Sequence, residues 1–60
     1  MSKYILVVDD EKEIRDMLAR NFTLLGYKVS TAANGLVALN YLENNTVNVV
    51  ISDIMMPEMD

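Results

Sequence analysis

The sequence predicts an α/β fold in which three parallel strands and two helices alternate in the order β-α-β-α-β. Two apolar runs rich in β-branched residues, residues 4–8 and 47–52, are typical of buried parallel strands. Between them, apolar residues recur at three- and four-residue steps, the period of amphipathic helices. Short connections and right-handed crossovers then predict half of a doubly wound sheet with the first strand in the centre, which is strand order 2-1-3.

The first strand, residues 4–8, ends at three consecutive acids, residues 9–11. From Glu11 onward the helical period begins, and polar residues, Arg15 among them, lie largely on the side opposite the apolar ones. Gly26 follows the last apolar residue and predicts a left-handed stop. Asp10 and Glu13 have the spacing of a capping box, so helix capping is the simplest interpretation of Asp10 taken alone.

The second strand, residues 27–32, alternates only in part, which favours an edge position. Asn34 and Gly35 would suit a hairpin turn, but the helical spacing of residues 36–42 favours a second helix instead. That helix is expected to end at residues 44–45, two asparagines. After the third strand, residues 47–52, the chain continues with Asp53 and a proline-containing loop.

The composition limits the classes of function. The 60 residues allow one domain at most, and the absence of cysteine excludes disulfides and thiolate metal sites. The net charge of −4 argues against nucleic acid or an anionic membrane as a partner and suits a cation ligand. No apolar run is long enough to span a bilayer, and the N-terminus lacks the pattern of a signal peptide, so we expect a cytoplasmic protein.

Two of the predicted strands end in acidic residues: Asp9 and Asp10 after the first, Asp53 after the third. In open α/β sheets ligands bind beyond the carboxyl ends of the strands, where the strand order reverses. Three carboxylates meeting there would repel one another unless a cation neutralised them, and oxygen ligands without His or Cys favour Mg²⁺. Because Mg²⁺ commonly binds phosphate oxygens too, this set points to phosphoryl chemistry. Asp53 alone would more often be a plain loop acid.

Other chemistries have weaker support. No glycine-rich phosphate loop and no nucleophile triad can be found in the sequence. Asp9 and Asp53 could form a glycosidase pair, but no tryptophan is present for sugar stacking. The methionines are interpreted as packing residues.

Three segments carry a family resemblance: ILVVDDEKEIRDML, GYKVSTAANGLVAL and VNVVISDIMMPEMD. Together they closely resemble the N-terminal half of a response-regulator receiver domain, the flavodoxin-like phosphoacceptor module of two-component signalling. The resemblance implies a regulatory module, not an enzyme, in which Asp53 accepts a phosphoryl group from a sensor histidine kinase. It implies that Asp10 binds Mg²⁺ directly and Asp9 directly or through water. The Met55 backbone carbonyl would be a further ligand, and Pro57 would shape the following loop.

The resemblance also shows what residues 1–60 do not contain. A complete family member has five strands and five helices, so we expect a truncated receiver domain with impaired phosphoryl acceptance. The hydroxyl residue of the fourth strand and the lysine of the fifth are absent, and Lys12 and Lys28 are not assumed to replace that lysine.

Two alternatives stay open. The chain could be a self-associating half-domain, a homodimer through the edge of strand 47–52 or a complementation unit, with its acids inherited but unused. A Mg²⁺-dependent phosphatase is the other, but it would require Asp-x-Asp where the sequence has Asp9, Asp10 and Glu11.

Overall fold

The structure, a computed structural model, describes residues 3–52 and contains the five predicted elements in the predicted order. They are β1 Tyr4–Val8, α1 Lys12–Leu24, β2 Lys28–Ala32, α2 Gly35–Asn44 and β3 Val49–Ser52. The strands form a parallel sheet in the order β2-β1-β3. The predicted fold class and strand order 2-1-3 are therefore confirmed, as is the edge position of β2.

The central strand β1 pairs along its length with both neighbours. Val8, its last residue, is the register partner of Ala32 in β2 and of Ser52 in β3. The carboxyl ends of β1 and β3 therefore lie side by side, with Val8 next to Ser52.

The two helices cover opposite faces of the sheet. Each contacts β1 and β2, and they do not contact one another within residues 3–52. One face of β1 packs against α2 in a buried cluster of Leu6, Val8, Ala32 and Ala38. Ile5 and Val7 are equally buried and, because side chains alternate along a strand, they point to the α1 face. No helix in the described part of the chain is long and apolar enough to cross a membrane.

The capping box predicted for α1 is wrong. The helix begins at Lys12, so its N-cap is Glu11, whose side chain makes no capping hydrogen bond. Asp10 therefore precedes the N-cap. The side-chain hydrogen bond in this turn comes from Asp9, whose carboxylate accepts from the Glu11 N–H at 2.9 Å. The other helix ends follow the prediction. Gly26 has a φ of +99°, and Asn34 begins a helix, not a hairpin, by accepting from the Val37 N–H.

Two strands start later than the sequence predicts. β3 begins at Val49, not at residue 47, because Asn48 bonds to Tyr4 through its side chain. Its amide oxygen accepts from the Tyr4 N–H at 2.8 Å, while its own N–H donates to the Tyr4 carbonyl. β2 begins one residue late because the Tyr27 N–H is bonded to the Phe22 carbonyl in the turn that ends α1.

Candidate functional site

Asp9 lies immediately beyond β1 and, at 2% exposed, is the only buried charged residue among residues 3–52. Three of its four polar groups have partners. Its N–H donates to the Ala32 carbonyl at 3.1 Å, which extends the pairing of β1 and β2 by one residue. Its carbonyl accepts from Arg15 Nη1 at 2.8 Å, and its Oδ1 accepts from the Glu11 N–H. The orientation of Asp9 is thus fixed by the sheet, by α1 and by the turn between them.

The fourth polar group, Asp9 Oδ2, is buried and has no hydrogen-bond partner in the described part of the chain. A buried acceptor without a partner costs about 1–3 kcal/mol, and a charged one more. A carboxylate oxygen in this position suits a hard divalent cation, because such cations prefer oxygen ligands. The observed chemistry of Asp9 therefore fits the predicted Mg²⁺ site.

Asp10 follows Asp9 in the turn and is exposed, so the two acids differ in their surroundings. The other predicted site residues, Asp53 and Met55, lie outside the described residues, as does Pro57. Residues 3–52 contain no group of three acidic, histidine or cysteine side chains that could hold a metal. The predicted cluster of three carboxylates thus depends on Asp53 and stays a prediction. Ser52, which precedes Asp53, is the register partner of Val8, which precedes Asp9.

Sequence reasoning missed the contact between Arg15 and Asp9. It assigned Arg15 to the solvent side of the first helix, whereas the side chain is half-buried and donates to the end of β1. Helical side chains point toward the N-terminus of their helix, so a long cation one turn into α1 can reach back to the strand end. The available signal was Arg15 itself, an arginine one turn into the helix that follows the acid pair.

Neither of the lysines considered as substitutes faces Asp9. Lys12 bonds to Asp16 at 2.6 Å on the exposed surface of α1. This hydrogen bond is the main cause that lowers the pKa of Asp16; desolvation opposes it, and the charges of Lys12 and Arg15 add smaller lowering effects. Lys28 lies at the start of β2, at the amino ends of the strands and thus away from Asp9. Its Nζ is 5.5 Å from the centre of the Tyr4 ring.

The fold is a parallel α/β module with strand order 2-1-3, and an acidic pair directly follows the carboxyl end of its central strand. The family model described as the response regulator receiver domain matches residues 5–60. The chain therefore belongs to the response-regulator receiver family, which confirms the resemblance found in the sequence. Receiver domains are regulatory phosphoacceptor modules of two-component signalling and not classical enzymes.

Individual relatives agree with this assignment. The chain is 47% identical over 57 residues to a probable transcriptional regulator, ycf27, of Cyanidium caldarium. It is 43% identical over 56 residues to the response regulator MprA of a Mycobacterium species, and 48% identical over 56 residues to the sensor histidine kinase RcsC of Salmonella typhimurium. Among solved structures, chemotaxis protein CheY4 of Vibrio cholerae superposes with a TM-score of 0.89 at 39% identity.

The chain is shorter than each of these relatives. These matches use 93–95% of the chain, but they span 23% of the ycf27 protein, 24% of MprA and 6% of RcsC. The match to CheY4 uses 98% of this chain and 49% of that one.

Proposed function

We propose that the chain is a phosphoacceptor in two-component signalling, with Asp53 as the acceptor and Mg²⁺ as the cofactor. In this proposal the ligands are the carboxylates of Asp9, Asp10 and Asp53 and the backbone carbonyl of Met55. The observation that carries it is the buried Oδ2 of Asp9, which lacks a partner among the described residues at the carboxyl end of β1. The pairing of Val8 with Ser52 supports it, since Asp53 follows the strand end beside Asp9.

The chemistry requires a nucleophile and compensation of charge. A carboxylate oxygen of Asp53 attacks the phosphorus of a phosphohistidine, the phosphorus–nitrogen bond breaks, and its electron pair remains on the imidazole. When bound, Mg²⁺ neutralises charge on the transferred oxygens. Asp9 and Asp10 hold and orient the site. The donor we propose is a sensor histidine kinase, the partner class to which the family's signalling role points.

We propose that residues 1–60 are the N-terminal part of the receiver fold and that transfer to this part alone is slow. Developing charge on a transferred phosphoryl group is stabilised by fixed cationic groups besides the metal. The lysine that the family uses has no counterpart in residues 1–60, and Lys12 is bonded to Asp16.

A divalent-cation titration tests the site. Amide chemical shifts are followed while Mg²⁺, or paramagnetic Mn²⁺, is added to the wild type, to Asp9→Asn and to the control Asp16→Asn. Asp16 is a suitable control because it is an exposed acid of α1 bonded to Lys12. The largest changes are expected at residues 9–11 and 53, with at least about tenfold weaker binding in Asp9→Asn only. Equal affinity in wild type and Asp9→Asn would remove the basis of the proposal.

Phosphoryl acceptance needs a separate experiment. The chain is incubated with a small acyl phosphate and Mg²⁺, and intact mass is measured under conditions that preserve acyl phosphates. We expect slow modification that is lost in Asp53→Asn and retained in Asp16→Asn. Modification that persists in Asp53→Asn would assign the acceptor to another residue.

A specific observation favours a second candidate, self-association through β3. Val49 and Val50 are 43% and 48% exposed, and within residues 3–52 β3 pairs only with β1 and contacts neither helix. An apolar strand with a free edge can recruit another strand. Two copies related by a two-fold axis could pair residues 47–52 in antiparallel fashion.

Sedimentation over a dilution series, with and without Mg²⁺, tests this candidate. A concentration-dependent dimer is expected for the wild type and a monomer for Val50→Lys, since a charge on an edge strand opposes pairing. Leu36→Lys, on the exposed surface of α2, is the control and should leave the dimer intact. A wild type that stays monomeric and folded at every concentration would exclude self-association.

We also propose that the chain acts in the cytoplasm, as response regulators generally do. Its net charge of −4 supports the proposal that it binds neither nucleic acid nor anionic membrane surfaces.

A further inference from the structure

Arg15 holds the peptide group that joins the two acids at the end of β1. Its Nη1 donates to the Asp9 carbonyl across 2.8 Å in a partly buried contact. That carbonyl belongs to the peptide between Asp9 and Asp10, so fixing it fixes the plane from which both acidic residues project. We propose that Arg15 is a positioning residue for the cation site, an inference that rests on the function proposed above.

The contacts around Asp9 explain why one hydrogen bond has this effect. The Asp9 N–H is held by Ala32, and its Oδ1 is held by the Glu11 N–H. With the carbonyl bound to Arg15 as well, neither the backbone nor the carboxylate of Asp9 can rotate without breaking a hydrogen bond. Oδ2, the oxygen without a partner in the described residues, is thereby kept in one direction. A cation then meets a ligand that needs no reordering.

The guanidinium group suits this task better than an ammonium group. Arginine presents several donors in a rigid plane, so a single contact restricts both the position and the direction of the bond. A lysine at the same position would keep the charge and the apolar stem but would hold the carbonyl less rigidly. The contact therefore predicts a difference between Arg and Lys that charge alone does not.

The positive charge of Arg15 and its hydrogen bond to the Asp9 carbonyl should have opposite effects on cation affinity. A positive side chain near a Mg²⁺ site repels the ion, so removing its charge alone should tighten binding. Removing a hydrogen bond that orients a metal ligand weakens binding, commonly by about 10–100-fold. The sign of the change in affinity consequently separates a positioning residue from a nearby charge.

The experiment compares Arg15→Met, Arg15→Lys and the control Arg20→Met with the wild type. Methionine keeps an unbranched apolar stem, and Arg20 is an exposed arginine of the same helix, so its replacement removes the same charge. Mg²⁺ dissociation constants are measured by amide shifts at one fixed ionic strength. We expect about 10–100-fold weaker binding for Arg15→Met, a smaller loss for Arg15→Lys, and unchanged or slightly tighter binding for Arg20→Met.

A second measurement is made without metal. The exchange rate of the Glu11 amide hydrogen reports its bond to Asp9 Oδ1, and we expect faster exchange in Arg15→Met but not in Arg20→Met. Wild-type or tighter Mg²⁺ affinity in folded Arg15→Met would overturn the proposal. If circular dichroism shows that Arg15→Met is unfolded, Arg15→Lys decides, with several-fold weaker binding supporting the proposal and wild-type affinity overturning it.

Failure of the proposed function has a different signature. If Asp9→Asn binds Mg²⁺ as the wild type does, the cation site itself is wrong, whatever the Arg15 variants show. If Asp9→Asn loses binding and folded Arg15→Met does not, the cation site stands and only the role of Arg15 is refuted.

Discussion

The hydroxyl oxygens of Ser30 in β2 and Tyr41 in α2 lie 2.7 Å apart in a partly buried contact. Ser30 is the register partner of Leu6, so this hydrogen bond lies on the same face of the sheet as the buried cluster beneath α2. Tyr41 packs against that cluster with its ring while its hydroxyl bonds to the strand. The pair therefore fixes the rotation of α2 over the sheet as well as adding a hydrogen bond.

Replacement of Tyr41 by Phe should lower the free energy of unfolding by about 0.5–1.5 kcal/mol, since the ring stays and one hydrogen bond is lost. Urea denaturation of the single variants and of the double variant with Ser30→Ala measures the coupling. The double variant should lose less than the sum of the two single losses, because both remove the same bond. Strictly additive losses would show that the two hydroxyls do not interact.

The two helix N-termini provide a second, matched pair of variants. Asn34 caps α2 by accepting from the Val37 N–H at 2.9 Å, whereas the N-cap of α1, Glu11, makes no side-chain capping bond. Asn34→Ala should therefore cost about 1 kcal/mol of stability and Glu11→Ala clearly less. Thermal unfolding of both variants under identical conditions provides the comparison. Equal losses at the two positions would contradict the capping assignment.

The order of the elements could be predicted from sequence because each element carries its own local signal. The run at residues 4–8 has no polar interruption, as a central strand requires. The helical period on either side of residues 28–32 indicates that strands and helices alternate along the chain. The same local signals gave Gly26 as the end of the first helix, which its positive φ confirms.

Apart from the start of β2, the errors occur where a side chain bonds to a backbone group that the local sequence pattern does not point to. β3 starts late because Asn48 bonds to Tyr4, 44 residues away, which no local pattern reveals. The capping box is wrong because Glu11, not Asp10, is the N-cap of α1, and the Glu11 N–H bonds to the Asp9 carboxylate. Arg15 was missed because its side chain bonds to the Asp9 carbonyl. Of the candidate site, Asp9 and Asp10 directly follow β1, and the roles of Asp9, Asp10, Asp53 and Met55 all stay predictions.

The buried core predicts a large contrast between two leucines. Leu6 is fully buried in the centre of the sheet, while Leu36 on α2 is 78% exposed. Leu6→Ala should destabilise the protein by about 2–5 kcal/mol, enough to unfold a chain of this size. Leu36→Ala should change stability by about 0.5 kcal/mol or less. Circular dichroism in urea measures both, and a small effect at Leu6 would show that the sheet is not the core.

The pair of Lys12 and Asp16 predicts a weak dependence of stability on pH. The hydrogen bond from Lys12 lowers the pKa of Asp16 below its ordinary value of 3.8. A lowered carboxylate pKa contributes stability above the ordinary value, and the contribution is lost as pH falls through the lowered value. Because both side chains are exposed, the effect should be small and decrease with salt. Unfolding measured from pH 6 to about pH 2 should show a shallower loss for Asp16→Asn, and identical profiles would mean that the pair does not form.

The environment of Asp9 predicts that function and stability conflict at this residue. Its buried Oδ2 has no partner among the described residues, so a neutral side chain of the same shape should be tolerated better than the carboxylate when no cation is present. Asn keeps an oxygen that can accept from the Glu11 N–H. Asp9→Asn should therefore raise the free energy of unfolding by about 1 kcal/mol in metal-free buffer.

With Mg²⁺ added, the wild type should instead be more stable than Asp9→Asn. A ligand that binds only the folded state stabilises it by about 2.7 kcal/mol at a concentration one hundred times its dissociation constant, and Asp9→Asn should gain much less than the wild type. Asp10→Asn is the matched control in metal-free buffer, where this exposed residue should change stability by no more than about 0.5 kcal/mol. Urea denaturation with and without Mg²⁺ gives both quantities. An Asp9→Asn variant that is less stable than the wild type without metal would mean that the carboxylate stabilises the fold and that its second oxygen is already satisfied.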